Sequence, residues 1–285
     1  MLLPLLVAAT ISVAATTTDL RDLVAVVGGD RVHVTSLTDP RHDPHGRELH
    51  PGQLAKLRDA TLLVRIGLDH EPWLARALSA VKPPAHDLDC SKSVELLGTE
   101  TPRLRTDSRP HVHAYGNTHY WLDPENARPL TAAIAGALGR LAPEDRAVFE
   151  ENRRRFLARL DVALARWRAR LGPFAGTRVV AVHDTWPYFA RRFDLTIAAA
   201  VEETPGVPPS PAYLGRLMDR MKSSGVRILI AEPGASAALL RRIADGTGAR
   251  TVTLAPSVGS EPDATDYLAL FELNVSRLAA ALGAK

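Results

Sequence analysis

Three short segments of this 285-residue chain carry side chains able to hold a transition metal. The first runs Arg41-His42-Asp43-Pro44-His45-Gly46-Arg47-Glu48-Leu49-His50-Pro51, with imidazoles at His42, His45 and His50 and carboxylates at Asp43 and Glu48. It follows an apolar, β-branched run at 32–37. That places it in a loop at the carboxyl end of a strand, where open α/β sheets collect ligands. The second segment extends from His111 and His113 through Gly116-Asn117-Thr118-His119-Tyr120-Trp121-Leu122-Asp123-Pro124. The bulky neighbours of His119 can fix its ring, whereas His111 and His113 lie among loop-forming residues and read as incidental. In the third, Val179-Val180-Ala181-Val182 leads directly into His183-Asp184. The imidazole then ends a buried strand, and Asp184 is placed to orient it. Taken singly, each segment reads equally well as a polar loop, a satisfied buried histidine or a polar strand end. Taken together, three neutral imidazoles and one oxygen donor suit Zn(II) in tetrahedral geometry. Mn(II), which favours more carboxylate oxygen, is second choice.

The elements that must position these groups alternate short apolar runs with helical patterns, which predicts an α/β fold with mainly parallel sheets. Strands are predicted at 11–15, 32–37, 61–66, 178–182, 196–201, 227–231 and 250–254, and helices at 51–58 and 211–223, among others. Gly28-Gly29 before Asp30 marks a turn. Asp123-Pro124 reads as a helix cap followed by proline in the first turn, opening a helix to Arg140. Pro143 opens another that Gly172-Pro173 stops. That helix spans about 29 residues, roughly 43 Å. Phe156, Leu160, Ala163, Leu164, Trp167 and Leu171 recur on one face; the other carries Arg153, Arg154, Arg155, Arg159, Arg166, Arg168 and Arg170. It reads as a strut between two α/β lobes. The expected organisation is therefore a signal-peptide remnant at 1–10, a first lobe at 11–142, a linking helix at 143–172 and a second lobe at 173–285.

Composition narrows the class. Apolar residues at 46% supply a sizeable core. The net charge of +3 is small, Glu150, Glu151 and Asp161 interrupt the arginine run, and no aromatic platform accompanies it, so nucleic acid is not the expected partner. The single Cys90 makes neither an intramolecular disulfide nor a zinc-finger framework. The first ten residues resemble the end of a signal-peptide apolar region, although no basic stretch precedes them; a buried first strand is the competing reading. The run is too short to span a membrane, and no cysteine follows it to carry a lipid.

At the three histidine segments the chain resembles the substrate-binding proteins of zinc and manganese ABC importers, the cluster A-I metal-binding group. Asp43-Pro44-His45 with Glu48 and Pro51 resembles that family's first ligand motif, His119 through Asn126 the second, and His183-Asp184-Thr185-Trp186-Pro187-Tyr188-Phe189 the third. The opening stretch from Ala15 to Val32 and the segment from Lys222 to Glu232-Pro233 match as well, so the likeness covers nearly the whole chain. The resemblance implies two pseudo-symmetric lobes joined by one long rigid helix, with the metal held between them by His45, His119 and His183. It implies a monomeric periplasmic protein that delivers its ion to a membrane permease with a cytoplasmic ATPase. One departure stands out: where the family supplies an aspartate as fourth ligand, this chain reads Leu254-Ala255-Pro256. Water, Glu261 or Asp263 would then complete the site. Three ligands and an open position also suit a zinc hydrolase, with Glu48 or Asp184 as base; this is the alternative function.

Overall fold

The computed structural model describes residues 10–41, 49–98, 116–203 and 207–283. His42, His45, Glu48, His111 and His113 lie outside them, as does the expected signal remnant apart from Thr10. The chain divides into two compact units, Met1–Val94 with Ala127–Arg159 and Glu95–Asn126 with Leu160–Lys285. Residues 116–126, although early in the chain, pack with the second unit, so His119 and His183 share one body.

The first unit contains β1 (Ile11–Ala15), α1 (Thr18–Gly28), β2 (Val32–Ser36), α2 (Pro51–Arg58), β3 (Leu62–Arg65), α3 (Leu74–Ala80) and β4 (His86–Asp89). All its strands run parallel, in the order β2-β1-β3-β4. The central strands are apolar on both faces, with Val13, Ala14, Ala15, Leu62, Leu63 and Val64 buried, as a sheet covered by helices requires. Thr17 caps α1 by accepting the Leu20 amide, and Gly29 ends it at φ +56°, a conformation that costs glycine no steric strain. β4 was not foreseen. It is an edge strand with exposed His86 and Asp87, so no apolar run announces it. Two helices close the unit's chain path. In α4 (Ala127–Leu141) the expected start is delayed by a tight 3-10 turn at Pro124–Asn126. A similar turn at Pro143–Asp145 precedes α5 (Arg146–Leu171).

The 26-residue α5 begins in the first unit and ends in the second. Phe156, Leu160, Ala163, Leu164, Trp167 and Leu171 are buried along it, as their spacing requires. Its arginines are largely held by acids: Arg155 meets Glu151 at 2.7 Å, and Arg168 meets Glu125 at 3.1 Å. The basic run is thus a solvated, internally paired helix face rather than a binding stripe.

The second unit repeats the plan with β5 (Arg178–Ala181), α6 (Pro187–Arg192), β6 (Thr196–Ala200), α7 (Pro211–Ser223), β7 (Ile228–Ala231), α8 (Ala237–Thr247), β8 (Arg250–Thr253) and α9 (Tyr267–Gly283). Its strands are again all parallel, in the order β6-β5-β7-β8. The two sheets share one winding order, which is the expected pseudo-symmetry. Phe271 of α9 packs on Trp167, with ring centroids 5.5 Å apart, and on Phe189 of α6 at 6.3 Å. No helix among the described residues is long and apolar enough to cross a membrane.

Candidate metal centre

Three polar side chains follow the carboxyl ends of neighbouring parallel strands in the second unit. His183 stands two residues past β5, Glu202 two past β6 and Glu232 one past β7. The strands are short and apolar, and the register of β5 with β6 and β7 brings their ends side by side. His183 Nδ1 lies 2.8 Å from Glu202 Oε2, a charge-assisted hydrogen bond in which the imidazole N–H donates. Such a carboxylate at Nδ1 orients the ring and favours the Nδ1–H tautomer. Glu202, not the adjacent Asp184, is the carboxylate found at that nitrogen. The sequence signal for it is an acid closing the apolar run at 196–201.

On the other side of the ring, His183 Nε2 lies 3.7 Å from Glu232 Oε2. Glu232 Oε1 accepts the Trp186 indole N–H at 2.6 Å. The side chain is 10% exposed, and the Thr185 side chain adds a further hydrogen bond to the carboxylate. Burial raises the Glu232 pKa above the ordinary glutamate value, opposed by His183 and by the Trp186 hydrogen bond.

His119 is held by a different device. A 3-10 turn at Tyr120–Leu122 follows it, and all three side chains of that turn are buried. The Tyr267 hydroxyl donates to the Trp121 carbonyl at 2.6 Å, and the Trp121 indole donates to the Pro256 carbonyl at 2.9 Å. The imidazole packs on Trp121, tilted by 50° at 5.2 Å between centroids. Its Nδ1 lies 3.2 Å from Asn117 Oδ1, which also accepts the His119 amide at 2.9 Å. Asn117 Nδ2 in turn donates to the Asp184 carbonyl at 2.8 Å and to its carboxylate at 3.3 Å. One amide side chain therefore ties the His119 segment to the residue next to His183. The sequence alone gives Asn117 no signal for this role.

Asp123, expected as a helix cap, accepts the Glu125 amide at 3.0 Å, but its fully buried carboxylate is taken chiefly by Arg192 at 2.6 and 2.8 Å. That pair fastens α6 to the turn after His119.

The candidates for a fourth donor are placed unequally. Ala255 is buried, its amide and carbonyl both bonded to the Asn274 side chain at 2.8 Å. Glu261 is committed to Arg277 at 2.8 Å, and Asp263 is exposed. His50 is exposed at the start of α2, its amide donating to Gln53. Among the described residues no three His, Cys, Asp or Glu side chains are drawn together closely enough to hold an ion by themselves. The His45 loop lies outside them.

The family model for zinc-uptake complex component A, periplasmic, matches residues 13–281. The high-affinity zinc uptake system protein ZnuA of Paracoccus denitrificans is 27% identical over 292 aligned positions, covering 92% of this chain and 89% of that one. ZnuA of Brucella abortus is 34% identical over 143 residues, half of this chain and 42% of the relative. A zinc-bound deletion mutant of ZnuA superposes with a TM-score of 0.81 at 26% identity, covering 97% of this chain and 99% of that one. With a strand-end histidine, a matching two-unit fold and a family match across nearly its whole length, the chain belongs to the zinc-uptake complex component A family of periplasmic metal-binding, solute-binding proteins.

Proposed function

We propose that this chain captures Zn(II) through His45, His119 and His183 and hands it to the membrane permease of an ABC importer powered by a cytoplasmic ATPase. The observation that supports it most is the paired orientation of the two described imidazoles. Each has Nδ1 held by a side-chain oxygen, Glu202 for His183 and Asn117 for His119, the outer-sphere arrangement that orients an imidazole as a metal ligand. Nitrogen-rich coordination favours zinc; manganese is the second choice. The working state is a periplasmic monomer. The family is one of solute-binding proteins, and the hydrolytic alternative is not favoured. Of its two candidate bases, Asp184 is already engaged by Asn117.

Metal-stripped protein should take up one zinc per chain, and His119→Ala should abolish tight uptake. Zinc retention by the variant equal to that of the wild type would remove His119 from the ligand set.

A further inference from the structure

Two short elements of the second unit each have a candidate ligand histidine before them and a charged residue at their far end. The 3-10 turn Tyr120–Leu122 follows His119 directly and closes on Asp123. Helix α6 starts four residues after His183 and ends on Arg192. We propose that the Asp123–Arg192 ion pair is a positioning device for metal binding, holding the His119 and His183 segments at the mutual angle in which both imidazoles serve one ion; this rests on the reading of the chain as a zinc-binding protein that uses those histidines.

Three observations carry it. First, the pair is directional. The Asp123 side chain is fully buried and receives Arg192 Nε on one oxygen at 2.6 Å and a terminal Arg192 nitrogen on the other at 2.8 Å. Such a planar fork fixes angle as well as distance. Arg191 adds a contact to Asp123 at 3.4 Å while its guanidinium lies over the Tyr188 ring, 5.7 Å from the centroid. Second, the pair is one of two ties set apart along the same segments. Close to the histidines, Asn117 Nδ2 donates to the Asp184 carbonyl at 2.8 Å, and the Tyr188 hydroxyl donates to the Asn117 carbonyl at 2.9 Å. Asp123 with Arg192 closes the other end. One tie lets two segments pivot about it; a second, at the far end, sets their angle. Third, stability alone does not call for charge here. Both groups must leave water to pair, and apolar side chains of similar volume often hold a buried contact as well or better. What they do not supply is the fixed orientation.

The test uses the metal-stripped full chain, with Zn(II) for affinity and Co(II) for its visible spectrum, in wild type, in the double variant Asp123→Leu with Arg192→Met, and in Arg192→Lys. Without metal, the apolar double variant should resist urea as well as the wild type or better. It should nevertheless lose about 10- to 100-fold in zinc affinity, the range of changes made outside the ligands themselves. Its Co(II)-saturated form should show shifted bands, which a contribution to stability alone would not produce. Arg192→Lys keeps the charge and loses the fork, so its affinity should fall between the two, and it carries the test if the double variant does not fold. Wild-type affinity and wild-type Co(II) bands in the folded double variant, or in Arg192→Lys where that is the variant that folds, would overturn the positioning role. So would a loss of affinity with unmoved Co(II) bands, since the pair would then act through stability only. If His183→Ala abolishes tight binding while these variants keep it, the zinc reading stands and the positioning role falls. A wild type that binds no zinc would overturn both.

Discussion

A Glu-Pro pair follows the corresponding strand in each unit, six residues after β3 and one after β7, and the two acids are used differently. Glu71-Pro72 follows β3 and Glu232-Pro233 follows β7, strands that hold the same position in sheets of the same order. Both carboxyls are buried. In the first unit every oxygen is used: Glu71 Oε1 accepts from the Thr16 hydroxyl at 2.6 Å and the Ile66 amide at 2.7 Å, and Oε2 from the Gly67 amide at 3.0 Å. In the second unit Glu232 Oε1 accepts from the Trp186 indole at 2.6 Å, and Oε2 lies 3.7 Å from His183 Nε2. The residues after the neighbouring central strands differ in step. β1 leads to Thr16, whose hydroxyl binds Glu71, whereas β5 leads to His183, whose Nε2 lies 3.7 Å from Glu232. Burial of an acid beyond a strand therefore does not by itself make a site. Glu71 is spent on its own turn, whereas Glu232 stands beside a candidate ligand histidine.

The largest effects should come from the histidines. His119→Ala and His183→Ala should each weaken zinc binding by more than about a hundredfold in competition with a chromophoric chelator, since even outer-sphere changes cost 10- to 100-fold. Metal-free stability should change little, because neither ring belongs to the buried apolar core.

Glu71→Ala should behave in the reverse way. Two backbone amides and a hydroxyl would lose their acceptor in a buried turn, at a cost on the order of 3 kcal/mol in urea unfolding. Zinc affinity should stay within a factor of about three. A large loss of affinity without a loss of stability would break the contrast between the two carboxyls.

Glu71 also sets a pH dependence. Burial, outweighing its hydrogen bonds, raises its pKa from 4.5 to about 7 in the folded chain. Between those values the folded state holds a proton that the unfolded state has released, so this group's contribution to stability falls as pH rises through that window and is level above it. The size is about 3 kcal/mol at most, from about 1.4 kcal/mol per pKa unit. Metal-free wild type and Glu71→Gln, unfolded in urea at pH 5 and pH 8, should differ in slope by this amount. Parallel pH profiles would contradict it.

Asn117→Ala should cost roughly 10- to 100-fold in zinc affinity, because it frees the His119 ring and cuts the tie to Asp184. Trp186→Phe should cost least, about 2- to 10-fold, by removing one hydrogen bond from Glu232 while keeping an aromatic ring in its place.

Much of this arrangement was legible in the residues. The strands at 11–15, 178–182 and 227–231 announce themselves because they are buried on both faces and so read as unbroken apolar runs. β4 is not legible, because an edge strand with His86 and Asp87 in solvent needs no apolar pattern. His183 stands out because a polar residue closing four apolar ones has few structural reasons to be there. The same logic applies to Glu202 and Glu232, yet sequence alone could not separate Glu232 from Glu71. Their difference lies in which groups from distant parts of the chain reach each oxygen, and no local spacing encodes that. Asn117 is hidden for a related reason: its partners Asp184 and His119 meet only in the folded unit.

The most direct test of the central claim is a zinc titration of metal-stripped wild-type protein followed by thermal unfolding. One ion per chain should bind, and zinc at a hundredfold excess over Kd should add about 2.7 kcal/mol, a rise in Tm of roughly 5 °C or more. A rise of no more than about one degree, with no zinc retained, would contradict the assignment of this chain as a zinc-capturing protein.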